Sequence, residues 1–289
     1  MVTVEANAKI NLTLDILGKR DDGYHEVAMV MQSVGLFDTL HLEPIRSGIE
    51  LRMDTAALPT DERNLAWRAA RRFLDAHDLR SGVRIEIEKH IPIASGLAGG
   101  SADAAAVLRG LDELFATKMT AAALSDIGAE LGSDVPFCLY GGTMLATGRG
   151  EILTPLSRGF EAWIVLAKPP IEVSTAWAYA AFDDSHGSVN DWTPMMVEAI
   201  EKGDLADIAA HLGNALEGVA RKAHPVIGEY QRILRENGTL ASLMSGSGPT
   251  VYALSRDRAG AERAAAALSA IDSEAAVFVV PTTGPRENV

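Results

Sequence analysis

The chain has 289 residues, of which 47% are hydrophobic, and a formal net charge of −13. That much apolar material supports one large or two moderate cores and excludes an extended disordered chain, while the acidic balance argues against nucleic acid or an anionic membrane as partner, since both need clustered Lys and Arg. A single cysteine, Cys138, excludes an internal disulfide and a Cys-x-x-Cys centre; with no secretory signal at the start and no apolar run long enough for a bilayer, the prediction is a cytoplasmic protein with a buried thiol.

The alternating, β-branched run at 2–17 predicts a strand kinked near Ala8 and Lys9, and 18–23 a charged turn. Strands follow at 26–34, 39–44 and 49–54. Residues 64–77 have helical spacing, with Leu65, Ala69 and Phe73 on one side and Asn64 as a candidate N-cap. A strand at 83–89 leads into a glycine-rich loop, then into Ala/Leu-rich helices at 101–116 and 120–131. After a strand at 161–168 the composition turns helical, with helices at 174–182, 194–202, 205–212 and 225–236 and a long polar loop at 183–190. A strand, a glycine turn and a second strand occupy 239–254, before a helix at 259–270 and a strand at 275–280. This mixture predicts an α+β fold rather than a doubly wound sheet.

The glycine-rich loop reads Pro92-Ile93-Ala94-Ser95-Gly96-Leu97-Ala98-Gly99-Gly100-Ser101-Ala102. It joins a strand to a helix. Its glycines permit positive φ and a close approach of backbone to a ligand. The helix that follows turns its free N–H groups and positive dipole end toward the loop, which favours an anion. A tight connection made of small residues for helix packing explains the same glycines. The common nucleotide signatures, G-x-x-x-x-G-K-[ST] and G-x-G-x-x-G after a strand, do not occur.

Pro92 to Ala102, continued by Asp103-Ala104-Ala105, resembles the phosphate-loop motif of the GHMP kinase superfamily, the galacto-, homoserine, mevalonate and phosphomevalonate kinases. Ala8-Lys9-Ile10-Asn11-Leu12 resembles its first motif and Ser245-Gly246-Ser247-Gly248-Pro249-Thr250-Val251 its third. Residues 8–27 and the run Leu131-Gly132-Ser133-Asp134-Val135-Pro136-Phe137 resemble a branch whose acceptor is a cytidine diphosphate sugar alcohol. The commoner loop of that branch has Gly at Ala98 and Ser at Ala102.

The resemblance implies a two-domain fold: 1–158 an ATP-binding domain like ribosomal protein S5 domain 2, and 159–289 a ferredoxin-like domain. It implies ATP as phosphoryl donor, with Mg²⁺ carried on it and no metal held by protein ligands alone. Lys9 and Asp134 become the catalytic pair: a carboxylate can accept the proton of an alcohol, and an ammonium beside it can stabilise charge. The phosphates fall to Pro92 through Ala102, with Asn64, Leu65 and Lys89 flanking adenine. On the acceptor side stand Asn11, Tyr24, His25, Thr175, Tyr179, Gly246, Ser247 and Gly248. His25 would meet the cytosine edge while Tyr24 and Tyr179 cover its two faces. The expected partner is a small molecule, with the chain a monomer or a homodimer. Two other readings stay open: a superfamily kinase for homoserine or mevalonate, and a non-catalytic nucleotide sensor on the same fold.

Overall fold

The computed structural model describes residues 1–77, 79–157, 159–185 and 190–286. Its first sheet is dominated by two long strands, β1 (Val2–Lys19) and β2 (His25–Ile45), paired antiparallel. With β3 (Ile49–Met53), β4 (Gly82–Glu88), β5 (Thr143–Thr147), β6 (Ile152–Pro155) and the short β8 (Gly213–Asn214), they form a seven-stranded sheet. Its main path runs β3-β4-β2-β1-β8, and β5 pairs with β2 and β6. The β1–β2 register shifts between Asn7 and Lys9, where the kink was expected, and again after Asn11 and Ile16. Such bulges bend a strand and re-aim its side chains. The two strands expected at 26–34 and 39–44 are one strand, whose first half pairs with β5 and second half with β4.

Four helices cover one face. In α1 (Leu65–Ala76) the Asn64 side chain caps the Ala66 N–H, and Ala66, Ala69, Ala70, Phe73 and Leu74 are buried at helical spacing. The next, α2 (Gly99–Phe115), is buried along most of its length and packs against β1, β2 and α1. Its small residues permit this: a Cβ on Gly110 would lie 2.9 Å from Leu42. Then come α3 (Ala121–Leu131) and α4 (Val135–Tyr140). The last was not among the expected helices; it carries Pro136 in its first turn, where proline is tolerated.

The second sheet contains β7 (Trp163–Lys168), β9 (Ala241–Met244), β10 (Val251–Ser255) and β11 (Ala276–Pro281), all antiparallel. Between β7 and β9 run α5 (Thr175–Asp184), α6 (Trp192–Lys202), α7 (Leu205–Ala210), α8 (Glu217–Ala223) and α9 (Val226–Glu236), and α10 (Arg258–Ile271) precedes β11. The spatial order β11-β7-β10-β9 is the split β-α-β arrangement of a ferredoxin-like sheet, with α9 and α10 packed on it. The fold is α+β. Part of the polar loop expected at 183–190 lies outside the described residues, and its first residues end α5. Among the described residues no helix is long and apolar enough to cross a membrane.

Candidate active site

A cavity of about 850 Å³ is lined from both halves of the chain. Lys9 stands in it directly after the first β1 bulge, with its side chain almost wholly buried. Its Nζ donates to Asn11 Oδ1 at 2.7 Å and lies 3.6 Å from Asp134 Oδ2. Asn11 in turn donates to Met29 Sδ at 3.0 Å, and its carbonyl accepts the Tyr252 hydroxyl of β10 at 2.9 Å. Asp134 occupies the N-cap position of α4 but makes no capping bond. Its carboxylate is thus available to the cavity, to which 33% of the side chain is exposed. Cys138, one turn on, is buried, and burial and then the Asp134 charge push its thiol up to about 12, far from a nucleophile.

The glycine-rich loop wraps another wall. Gly96 has φ +76°, and two alanines, Ala94 and Ala98, also take left-handed backbone. At Ala98, the N-cap of α2, this costs about 1–2 kcal/mol relative to glycine. The first bond of that helix runs from the Ala102 N–H to the Ala98 carbonyl. The N–H groups of Gly99, Gly100 and Ser101 are the free donors of its first turn. The chain packs this loop against the third glycine motif: Ser245 Oγ donates to the Gly96 carbonyl at 3.1 Å, and the Thr250 N–H to Ser95 O at 3.3 Å. Gly246, Ser247 and Gly248 line the cavity from that side, with Ser247 Oγ 2.9 Å from Thr175 Oγ1.

Most of the residues read from the sequence line this one cavity; three do not. Leu97 and Ala102 are buried in the core, and the Leu97 carbonyl accepts the Lys9 N–H at 3.2 Å. The missing hydroxyl at Ala102 therefore removes nothing from the cavity. Asn64 is spent on helix capping: its Oδ1 accepts from Ala66 and its Nδ2 donates to Pro59 O.

Lys89 lines the cavity, but its ammonium is held by Asp38 and, at 2.8 Å, by Asp103. Burial works against that charge, yet the two carboxylates outweigh it and hold the Lys89 pKa above the ordinary lysine value. Asp38 also accepts the N–H groups of His90 and Ile91, while Asp103 Oδ1 has no partner. Burial pushes Asp103 up to about 7; Lys89 opposes the shift and Asp38 adds to it. Its pKa being raised on folding from 3.8, the proton it keeps stabilises the fold at low pH, and that contribution is lost as pH rises toward 7. The stability of the protein relative to Asp103→Asn should fall by about 1 kcal/mol per pH unit from about pH 5 to 7, then level off. Urea midpoints at matched pH measure it; a constant difference across that range refutes it.

At the other end, His25 stacks on Tyr179 with ring centroids 4.9 Å apart and planes 28° apart. Its Nε2 lies 2.7 Å from Asp183 Oδ1, and Asp183 Oδ2 pairs with Lys19 at 2.7 Å. Hydrogen bonds from Lys19 and then His25 hold the Asp183 carboxyl below its ordinary value. Burial, helped by the Asp134 charge, raises the Tyr179 hydroxyl to about 12. Tyr24 lines the same cavity. It is 57% exposed, with the Arg149 guanidinium 5.2 Å above its ring. Lys19, Arg149 and Asp183 were absent from the sequence-derived set. Asp183 had a signal, since it follows Tyr179 by four residues on one helix face; Arg149, in the β5–β6 turn, had none.

These features suit phosphoryl transfer: a free helix N-terminus behind a glycine loop, with a lysine–carboxylate pair beside it. Residues 64–142 match the GHMP kinases N terminal domain and residues 196–272 the GHMP kinases C terminal domain. The chain belongs to the GHMP kinase family. It is 48% identical to the 4-diphosphocytidyl-2-C-methyl-D-erythritol kinase of Pelotomaculum thermopropionicum, over 99% of both chains. A crystal structure of 4-(cytidine 5'-diphospho)-2C-methyl-D-erythritol kinase superposes with a TM-score of 0.83 at 34% identity, covering 98% of this chain and 100% of that one. Homoserine kinase from Cytophaga hutchinsonii shares the fold, with a TM-score of 0.77 at 19% identity over 99% of this chain and 96% of its own.

Proposed function

We propose that the chain transfers the γ-phosphoryl group of ATP to the 2-hydroxyl of 4-diphosphocytidyl-2-C-methyl-D-erythritol, giving ADP and the 2-phosphate, a step toward isoprenoid precursors. The observation that carries this is the Lys9–Asp134 pair, 3.6 Å apart in the same cavity as the glycine-rich loop and the His25–Tyr179 stack. Asp134 accepts the proton of the acceptor hydroxyl as its oxygen bonds to phosphorus and the bond to the ADP oxygen breaks. Lys9 keeps a fixed positive charge beside that oxygen, oriented by Asn11. The free N–H groups at the start of α2 and the backbone of Pro92 through Gly100 bind the donor's phosphates, and Leu65 borders its base. Among the described residues no three carboxylate, imidazole or thiol groups gather as a metal site. Mg²⁺ would come with the nucleotide, whose phosphates supply most of its ligands.

His25, Tyr24 and Tyr179 select the cytosine, with Asn11, Thr175 and Gly246–Gly248 along the rest of the acceptor. The lone sheet of β7 and β9–β11 supports dividing the chain at 158/159 into the two domains, although β8 reaches back to pair with β1. A cytoplasmic location suits small-molecule substrates of this kind. A homoserine or mevalonate kinase has no need of the His25–Tyr179 group, and a sensor has none of the Lys9–Asp134 pair. ADP release coupled to NADH oxidation, run with each of the three alcohols, tests the reading. Turnover only with the cytidylyl alcohol is expected; turnover with none of them, despite tight ATP binding, would favour the sensor.

A further inference from the structure

After β11 the chain leaves its own sheet and crosses to the other. Pro281 lies against Gly35, where an added Cβ would meet the proline ring at 3.0 Å. Thr282 bridges to Val34, and the Thr283 N–H donates to Ser33 O at 3.0 Å. Gln32 Nε2 donates to Thr283 O at 2.9 Å. Pro285 then bridges to Gly141, and the Arg286 N–H donates to Tyr140 O at 2.9 Å. The Arg286 guanidinium ends on Asn7 Oδ1 at 2.6 Å and Glu5 O at 3.2 Å.

These anchor points share one property. Ser33 is the register partner of Lys9, and Asn7 is the residue at which the β1 bulge before Lys9 begins. Tyr140 ends the helix that Asp134 starts. Ser33 Oγ also accepts the Gly142 N–H at 2.7 Å, so one residue ties the β2 ladder to the exit of α4. At six residues α4 is a rigid rod of about 9 Å, so displacing its end displaces Asp134. None of the anchors lines the cavity.

We propose that residues 281–286 form a strap that sets the separation of Lys9 and Asp134, with Thr283 and Arg286 as positioning residues. The strap holds the backs of both segments, across the two sheets, while the glycine-rich loop touches β1 through one bond, Lys9 N–H to Leu97 O, and is otherwise anchored to the third glycine motif by Ser245 and Thr250. Its loss should therefore reach the chemical step and spare nucleotide binding. This rests on the kinase reading for its kinetic arm alone.

The full chain carrying Arg286→Ala should lose about tenfold in kcat, with KM for ATP and for the acceptor within about twofold, and a stop after Thr282 should lose about a hundredfold. Arg286→Lys, which keeps one donor for Asn7, should recover most of the loss. Hydrogen exchange followed by mass spectrometry supplies an arm that needs no turnover. In Arg286→Ala, amides of 5–12 and 135–142 should exchange at least tenfold faster, while those of 92–102 stay as protected as before. Unchanged kcat together with unchanged exchange at 5–12 and 135–142 overturns the strap. So does a kcat loss that follows the folded fraction, with both KM values shifted. If the shortened chain fails to fold, the Arg286 variants decide. Absence of kinase turnover in the parent protein counts against the function alone, and the exchange arm still tests the strap.

Discussion

Replacing Asp134 by Asn should lower kcat by about 10²–10⁴-fold and leave the protein folded. The amide has the shape of the carboxylate but cannot take a proton from the acceptor. The fold has a limited amount to lose: Asp134 makes no capping bond, and its 3.6 Å pair with Lys9 is a third exposed on the Asp134 side though buried on the Lys9 side. Asn11 still accepts from the ammonium, and the new amide oxygen can also accept, so the cost should be about 1–3 kcal/mol. Lys9 is a different case. It is buried, and Asn11 Oδ1 depends on it for a donor. Lys9→Met keeps the stem that fills the space and removes only the charge, so it is a cleaner variant than Lys9→Ala. We expect it to cost about 10²–10³ in kcat and to destabilise by about 1–3 kcal/mol, the cost of an unsatisfied buried acceptor. Steady-state kinetics beside thermal melts separates the two effects. Near-normal turnover in folded Asp134→Asn would remove the proton acceptor from the mechanism.

What was legible in the sequence was what short-range chemistry determines. The kink near Ala8 and Lys9, the α1 face led by Ala69 and Phe73, and the strand–loop–helix around Gly96 are all encoded within a few neighbouring residues. The site residues that were missed, or given another part, owe their places to long-range contacts. Lys89 meets Asp38 and Asp103 from three separate elements, and no spacing rule joins them. Arg149 reaches Tyr24 across a turn between β5 and β6, strands too short and too mixed to stand out. The strap after β11 pairs at Thr283 with Ser33, 250 positions earlier, and at Pro285 and Arg286 with the end of α4 in the middle of the chain. Tyr24 and Tyr179 were both found in the cavity, but the partner of Tyr179 is His25, because the turn before β2 leaves Tyr24 facing solvent and Arg149. Asn64 carries an ordinary N-cap signal, and capping is what it does.

The two meanings of a glycine in the loop, packing and ligand approach, can be separated by one methyl group at two positions. At Gly96 an added Cβ would lie 2.4 Å from Ser245 O and 3.0 Å from both backbone N and O of Gly248, at φ +76°. All three atoms are backbone, so nothing can rotate away. Gly96→Ala must push the loop off the third motif, breaking the Ser245–Gly96 bond. Overpacking and the left-handed backbone together should cost about 3 kcal/mol or more, seen as a large fall in melting temperature whether or not nucleotide is present. At Gly100 the added Cβ meets only Leu65 Cδ1, at an ordinary 3.7 Å. Alanine is also the better helix former, by about 0.5–1 kcal/mol. Gly100→Ala should therefore be as stable as the parent or slightly more so. Gly100 nevertheless lines the cavity at the free end of α2. If phosphate lies against that backbone, the methyl stands in its way, and KM for ATP should rise at least about tenfold, a loss of about 1.4 kcal/mol of binding, with the fold unharmed. An unchanged KM in Gly100→Ala would mean that the glycines at the start of α2 serve packing alone, and the phosphates would have to be held elsewhere along the loop.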